Sequence, residues 1–176
     1  MRAANSRDEG RVTNELKRRA KWFLGGSFLA VGLMQLFQPN RTNPPIVPGH
    51  DLLSSNSPPT EVVSLLRTAC YDCHSHETRW PWYTRVSPMS WWTAKHVADG
   101  RQELNFSEWP HDRPKRARSL WRNITVEVEG GSMPLPSYLW IHTESRLTEP
   151  QRQLLIDWAE KQIELLKEDG AESQSP

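Results

Sequence analysis

The chain opens on a polar, charged stretch, turns apolar once, and then alternates helical stripes with proline-rich segments. The apolar run is Trp22 to Phe37, WFLGGSFLAVGLMQLF, with no charged residue and only Ser27 and Gln35 clearly polar. Taken with Gln38, it amounts to about 25 Å of helix against a bilayer core of about 30 Å. Lys21 and Arg41 can extend that reach by snorkelling. Gln38, Pro39, Asn40 and Arg41 come next, which is not the small-x-small site of a cleaved signal peptide. The pattern predicts a transmembrane signal anchor over 22–38 behind a basic head over 1–21. Residues 39–59 mix six prolines with Asn, Ser and Thr and read as an extended linker without a core of its own.

From residue 60 the period becomes helical. Thr60 is placed to cap a helix with Glu61 in its first turn, and Val62, Val63, Leu65, Leu66 and Ala69 recur on one face. A second helix is predicted from Pro88 to Asp99, stopping at Gly100. A third, Pro114 to Glu129, stacks Ala117, Leu120, Trp121, Ile124 and Val128 and ends at Gly130 and Gly131. The last opens on a capping box, Thr148 with Gln151, and buries Leu154, Leu155, Trp158, Ile163 and Leu166. No strand pattern competes. The expectation is an all-α domain over 60–168 with a disordered tail over 169–176.

Charge adds a direction. The 176 residues carry 22 Lys+Arg against 21 Asp+Glu, which gives no global argument for a nucleic-acid partner. Residues 1–21 hold seven basic and three acidic side chains, a net of +4, leaving 15 against 18, a net of −3, for the rest. A basic flank ahead of an apolar run keeps the N-terminus cytoplasmic and sends the chain beyond Phe37 across the membrane. A mean hydropathy of −0.71 excludes a many-pass membrane protein.

The chemistry concentrates in Cys70-Tyr71-Asp72-Cys73-His74, which holds both cysteines of the chain. At about 100° per residue a helix sends Cys70, Cys73 and His74 to the same side. Two thioether bonds and one imidazole ligand on one side are what covalent attachment of a c-type haem requires. The alternatives are weaker. A zinc site lacks a second C-x-x-C or H-x-x-x-H to complete it, and a disulfide three residues apart constrains the unfolded chain little. For the sixth iron position the candidates are Met89, Met133, His76, His96, His111 and His142. Met133, in a Gly-Gly-Ser-Met-Pro loop between two helices, can approach the far face. His96 lies on the second helix, His76 is too near His74, and Met89 at a helix start reads as core. Trp80, Trp82, Tyr83, Trp91, Trp92 and Trp109 read as core and pocket wall. Arg79 and Arg85 read as surface residues, with haem propionates as the less expected partners.

The sequence resembles a family of bacterial haem-binding domain proteins, small membrane-anchored c-type cytochromes. The resemblance runs from about 60 to 162. It is carried by Cys70-Tyr71-Asp72-Cys73-His74-Ser75, Arg79-Trp80-Pro81-Trp82-Tyr83, Ser90-Trp91-Trp92 with His96 downstream, Leu104-Asn105-Phe106-Ser107-Glu108-Trp109, Met133-Pro134-Leu135, Ile141-His142-Thr143 and Leu155-Ile156-Asp157-Trp158-Ala159. It implies a small cytochrome-c-like helical fold around one haem c on Cys70 and Cys73, with His74 as axial ligand, Met133 as the natural distal ligand and a histidine where His96 stands. The implied protein is a periplasmic electron carrier on the inner membrane, serving a membrane redox complex or a soluble carrier and conceivable as a subunit of a larger complex. The competing class is a haem enzyme or sensor with an open sixth position for peroxide or a diatomic gas.

Overall fold

The computed structural model describes the backbone of residues 3–172 and the side chains of 11–168. Among the described residues all regular structure is helical, with no strand. The described residues divide into two compact units, one running up to residue 41 and including 80–94, the other made of 42–79 and the residues from 95 onward.

In the first unit, helix α1 (Ala3–Met34) carries the basic head and most of the apolar run. Here the predicted transmembrane helix over 22–38 is corrected. The helix ends at Met34, so the helical part of the apolar run, Trp22 to Met34, rises only about 20 Å, and Gly25, Gly26, Ser27 and Gly32 dilute it. No helix among the described residues is long and apolar enough to cross a membrane. Its termination has a local cause. The Gln35 amide donates to the Val31 and Ser87 carbonyls and its oxygen accepts from the Ser87 N–H, while Gln38 donates to the Ser87 hydroxyl. Pro39 then forbids further helix.

The second unit begins well before residue 60, which corrects the linker expectation. Asp51 caps helix α2 (Leu52–Asn56) by accepting from the Leu53 N–H at 2.8 Å. Leu52 is fully buried in the core, a burial that stabilises by about 1.5–3 kcal/mol. The His50 carbonyl accepts the Trp109 N–H at 2.9 Å, and Asn43 donates to the Thr78 carbonyl at 2.8 Å. Prolines bar this segment from long helices but not from packing, so it folds back on the domain.

Helix α3 (Thr60–Ala69) starts at Thr60 itself, with Pro59 in the capping position, and buries Val62, Leu65 and Leu66. A separate turn, α4 (Tyr71–His74), comes next, then α5 (Met89–Glu103) and α6 (Pro114–Glu129). Helix α6 has the predicted bounds and closes on Gly130. Helix α7 (Glu149–Glu172) opens with the Thr148 N–H donating to the Gln151 side chain at 2.9 Å, one half of the expected capping box. It runs on to Glu172, into the segment expected as a tail, whose last residues, 173–176, lie outside the described residues. Helices α6 and α7 pair closely and α3 lies against α7. Between them Trp121 meets Trp109 and Trp158 at centroid distances of 4.5 and 4.8 Å.

Two further expectations change. Helix α5 passes through Gly100 rather than stopping there. Of the aromatic group expected as core and pocket wall, Trp109 is core, whereas Trp82, Trp91 and Trp92 are exposed.

Candidate functional site

The Cys-x-x-Cys-His pentapeptide does not lie on one unbroken helix. The helix of α3 ends at Cys70, whose backbone (φ −125°, ψ −40°) leaves the helical range. The Cys70 carbonyl then accepts from both Cys73 and His74 N–H groups, at 3.2 and 3.0 Å. This preserves the three- and four-residue spacing that the motif chemistry needs while turning its side chains away from the axis of α3.

His74 is oriented from the other side. Its Nδ1 lies 2.9 Å from the Gly100 carbonyl and 3.1 Å from that of Leu104, both at the end of α5. Because carbonyls only accept, Nδ1 carries the proton and Nε2 keeps its lone pair. Burial holds the imidazole below its usual pKa, with the two carbonyls opposing, so the ring is neutral at physiological pH. Gly100 makes this approach possible: a Cβ there would sit 2.8 Å from the Cys73 carbonyl oxygen. The glycine read from sequence as a helix stop is instead a close-contact position inside the helix.

Both cysteines are free thiols. Burial pushes Cys70 up to about 12, with the neighbouring Cys73 adding to the effect. Cys73 rises to about 11 through burial and then the Asp72 carboxylate, opposed by Arg101. Protonated thiols are poor nucleophiles for disulfide exchange. Among the described residues no three His, Cys, Asp or Glu cluster to hold a metal ion.

A cavity of about 430 Å³ opens beside the turn, within the range of cofactor pockets. Cys70, His74 and Met133 line it together, in a wall of Leu66, Leu104, Phe106, Leu120, Ile124, Val128 and Leu155. The thioether arrives by a defined route. Helix α6 ends at Gly130, Gly131 adopts a left-handed φ of 69°, and the N–H groups of Ser132 and Met133 both donate to the Glu127 carbonyl at 3.1 Å. Glu103, Asn123 and Glu127 add polar groups to the lining. Cys73 and His96 are not among the lining residues; Cys73 lies against Gly100, and His96 is half-buried on α5.

The other candidates lie elsewhere. His76 is buried with Nδ1 on the Pro45 carbonyl and Nε2 on the Asn105 side chain, so both nitrogens are engaged. His111 and His142 are held by the Trp109 carbonyl and by Glu144 respectively. Met89 stands at the start of α5 in the first unit. Arg79 binds the Asp72 carboxylate through Nε and Nη2 at 3.1 and 2.9 Å, and Tyr138 donates to the same carboxylate at 2.8 Å. Arg101 donates to the Ser75 carbonyl, Thr78 and Asn43, each at 2.8 Å. These long-range partners fix the loop after the motif, and no local pattern announces them.

A helical domain that brings Cys70 and the neutral His74 of a Cys-x-x-Cys-His turn together with a methionine at one largely apolar cavity has the donor set of a haem-binding protein. The comparison with known families agrees: the model of the haem-binding domain family matches residues 29–161. The chain therefore belongs to the haem-binding domain family. The match reaches back through the segment 42–59 that packs on the domain. No characterised protein and no solved structure matches the chain.

Proposed function

We propose that this chain is a c-type cytochrome that carries single electrons at a membrane. Cys70 and Cys73 would hold one haem through thioether bonds, and His74 and Met133 would supply ligands to its iron. The observation that carries this reading is the shared cavity, which brings His74, with Nδ1 tied to carbonyls, and Met133 to one space beside Cys70. Bound haem supplies a one-electron iron couple. The chain's own residues do the rest. Gly100 and Leu104 fix the imidazole tautomer, the Leu and Val wall excludes water, and thioether ligation favours the reduced state. Glu103 and Glu127, as carboxylates in the lining, favour the more positive oxidised state.

The remaining parts of the reading rest on chemistry and pattern. Covalent attachment of this kind is made outside the bacterial cytoplasm, which favours a domain on the periplasmic side of the inner membrane. The exposed apolar stretch of α1, next to Arg18, Arg19 and Lys21, favours attachment to that membrane. Tethering raises the effective concentration near a membrane redox complex or a soluble carrier that docks there.

The test is expression with a cytochrome c maturation system, then a denaturing gel stained for haem and an optical redox titration. Haem that stays with the chain and a low-spin ferric spectrum are expected. Loss of all haem on denaturation defeats the covalent reading. A second expectation is that Met133→Ala converts the ferric spectrum from low to high spin. An unchanged spectrum removes Met133 and points to His96, while a wild-type spectrum that is already high spin and binds carbon monoxide favours the open-site enzyme or sensor.

A further inference from the structure

The first unit pairs the end of the apolar run with a tryptophan-rich segment. The Trp91 indole N–H donates to the Phe37 carbonyl, and Gln35 and Gln38 hold Ser87 by three further side-chain hydrogen bonds at 2.8 to 3.2 Å. Around this clasp the large apolar side chains face outward: Leu36 and Phe37 are 74% and 73% exposed, and Trp82 is 78% exposed. Trp91 and Trp92 are exposed by 38% and 41%. Single exposed apolar residues are ordinary, but several exposed aromatics in one small unit, tied to the end of an apolar run, mark a surface with a partner.

The charges around the group narrow the partner. Neither 22–41 nor 80–94 contains an Asp or Glu, while Arg41 and Arg85 lie within them. Indole-bearing segments that carry cations and no carboxylates, tied to the end of an apolar run, match the headgroup layer of an anionic bilayer. There an amphipathic ring has one apolar and one hydrated side, and arginine meets phosphate. A protein docking site would more commonly mix both signs at its polar rim.

We propose that Trp82, Trp91 and Trp92 form an interfacial belt that rests in the lipid headgroup layer, clasped to the end of the apolar run through Ser87. The segment 80–94 is then a second lipid contact, separate from the helix. This deepens the membrane attachment proposed above and rests on it.

The test reconstitutes the full haem-loaded chain into vesicles of phosphatidylethanolamine and phosphatidylglycerol that contain a photoactivatable phospholipid. Adducts are then mapped by mass spectrometry. Adducts in both 22–37 and 80–92 are expected, with Trp82→Ala and Trp91→Ala together losing those in 80–92 and keeping those in 22–37. Because Trp82 is largely exposed, the same variant should retain its haem spectrum. Adducts in 22–37 alone overturn this inference and leave the membrane attachment standing, with a protein the better occupant of the tryptophan surface. No adducts in either segment overturn both.

Discussion

Replacing Gly100 by alanine sets two effects against each other. In the middle of a helix alanine is favoured over glycine by about 1 kcal/mol. At this position, however, the new Cβ falls 2.8 Å from the Cys73 carbonyl oxygen and 3.3 Å from the Cys73 Cβ, where ordinary contact begins at 3.4 Å. The obstacle is backbone, so no rotamer change relieves it, and α5 must retreat from the motif turn by about 0.6 Å (3.4 − 2.8). Overpacking of this kind costs about 1–3 kcal/mol. The same retreat stretches the bonds from His74 Nδ1, now 2.9 and 3.1 Å, to or past the limit of a hydrogen bond. Their loss removes about 1 kcal/mol more. Set against the propensity gain, the balance is a net destabilisation of about 1–3 kcal/mol. Denaturant unfolding of the haem-loaded wild type and variant, monitored by far-ultraviolet circular dichroism, measures it. A variant that unfolds at the same or a higher denaturant concentration would mean that propensity acts unopposed, and would refute the close approach of α5 to the motif.

Burial leads to two other expectations. Leu52→Ala removes a fully buried side chain contributed by the proline-rich segment and should cost about 2–5 kcal/mol in the same assay; a loss below about 0.5 kcal/mol would restore that segment to the status of a loose tether. In the haem-free chain, Cys70 at about 12 against an ordinary 9.0 leaves roughly a thousandth of the usual thiolate fraction at pH 8. Alkylation read by mass spectrometry should therefore be slow until the chain is unfolded. The sign of the linked effect on stability is set by the raised folded value. The contribution is complete below pH 9.0, where neither state has ionised, and is lost as pH rises toward about 12, because the unfolded thiol ionises first.

The parts of the fold that were legible in the sequence are those with local causes. Helix α6 has an apolar stripe along its length, a proline at its start and two glycines after its end, and its bounds come from these. Cys70, His74 and Met133 stand out in the sequence because c-type chemistry needs those residue types, and the structure brings the three to one cavity. What failed was composition used as a proxy for packing. Six prolines hid the fact that Asp51 caps a short helix and Leu52 plugs the core. The crowded tryptophans suggest a pocket wall, yet the apolar part of the cavity lining is Leu, Ile, Val, Ala69 and Phe106, and none of the tryptophans lines it. Gly100 differs from its sequence expectation because a glycine that ends a helix and one that admits a neighbouring carbonyl look alike along the chain. Asn43, Asp72 and Arg101 act across distances of 7 to 66 positions, for which no periodicity exists.

The closing of α5 over the motif also has a consequence for the order of events during synthesis. The carbonyls that grip His74 belong to residues 26 and 30 positions further along the chain. Asn43 waits longer still, 58 positions, for Arg101. As the chain is made from its N-terminus, Cys70 and Cys73 emerge well before the segment that buries them. Their thiols are thus open to chemistry early and sealed late, so the covalent attachment proposed above has its access while the domain is still incomplete.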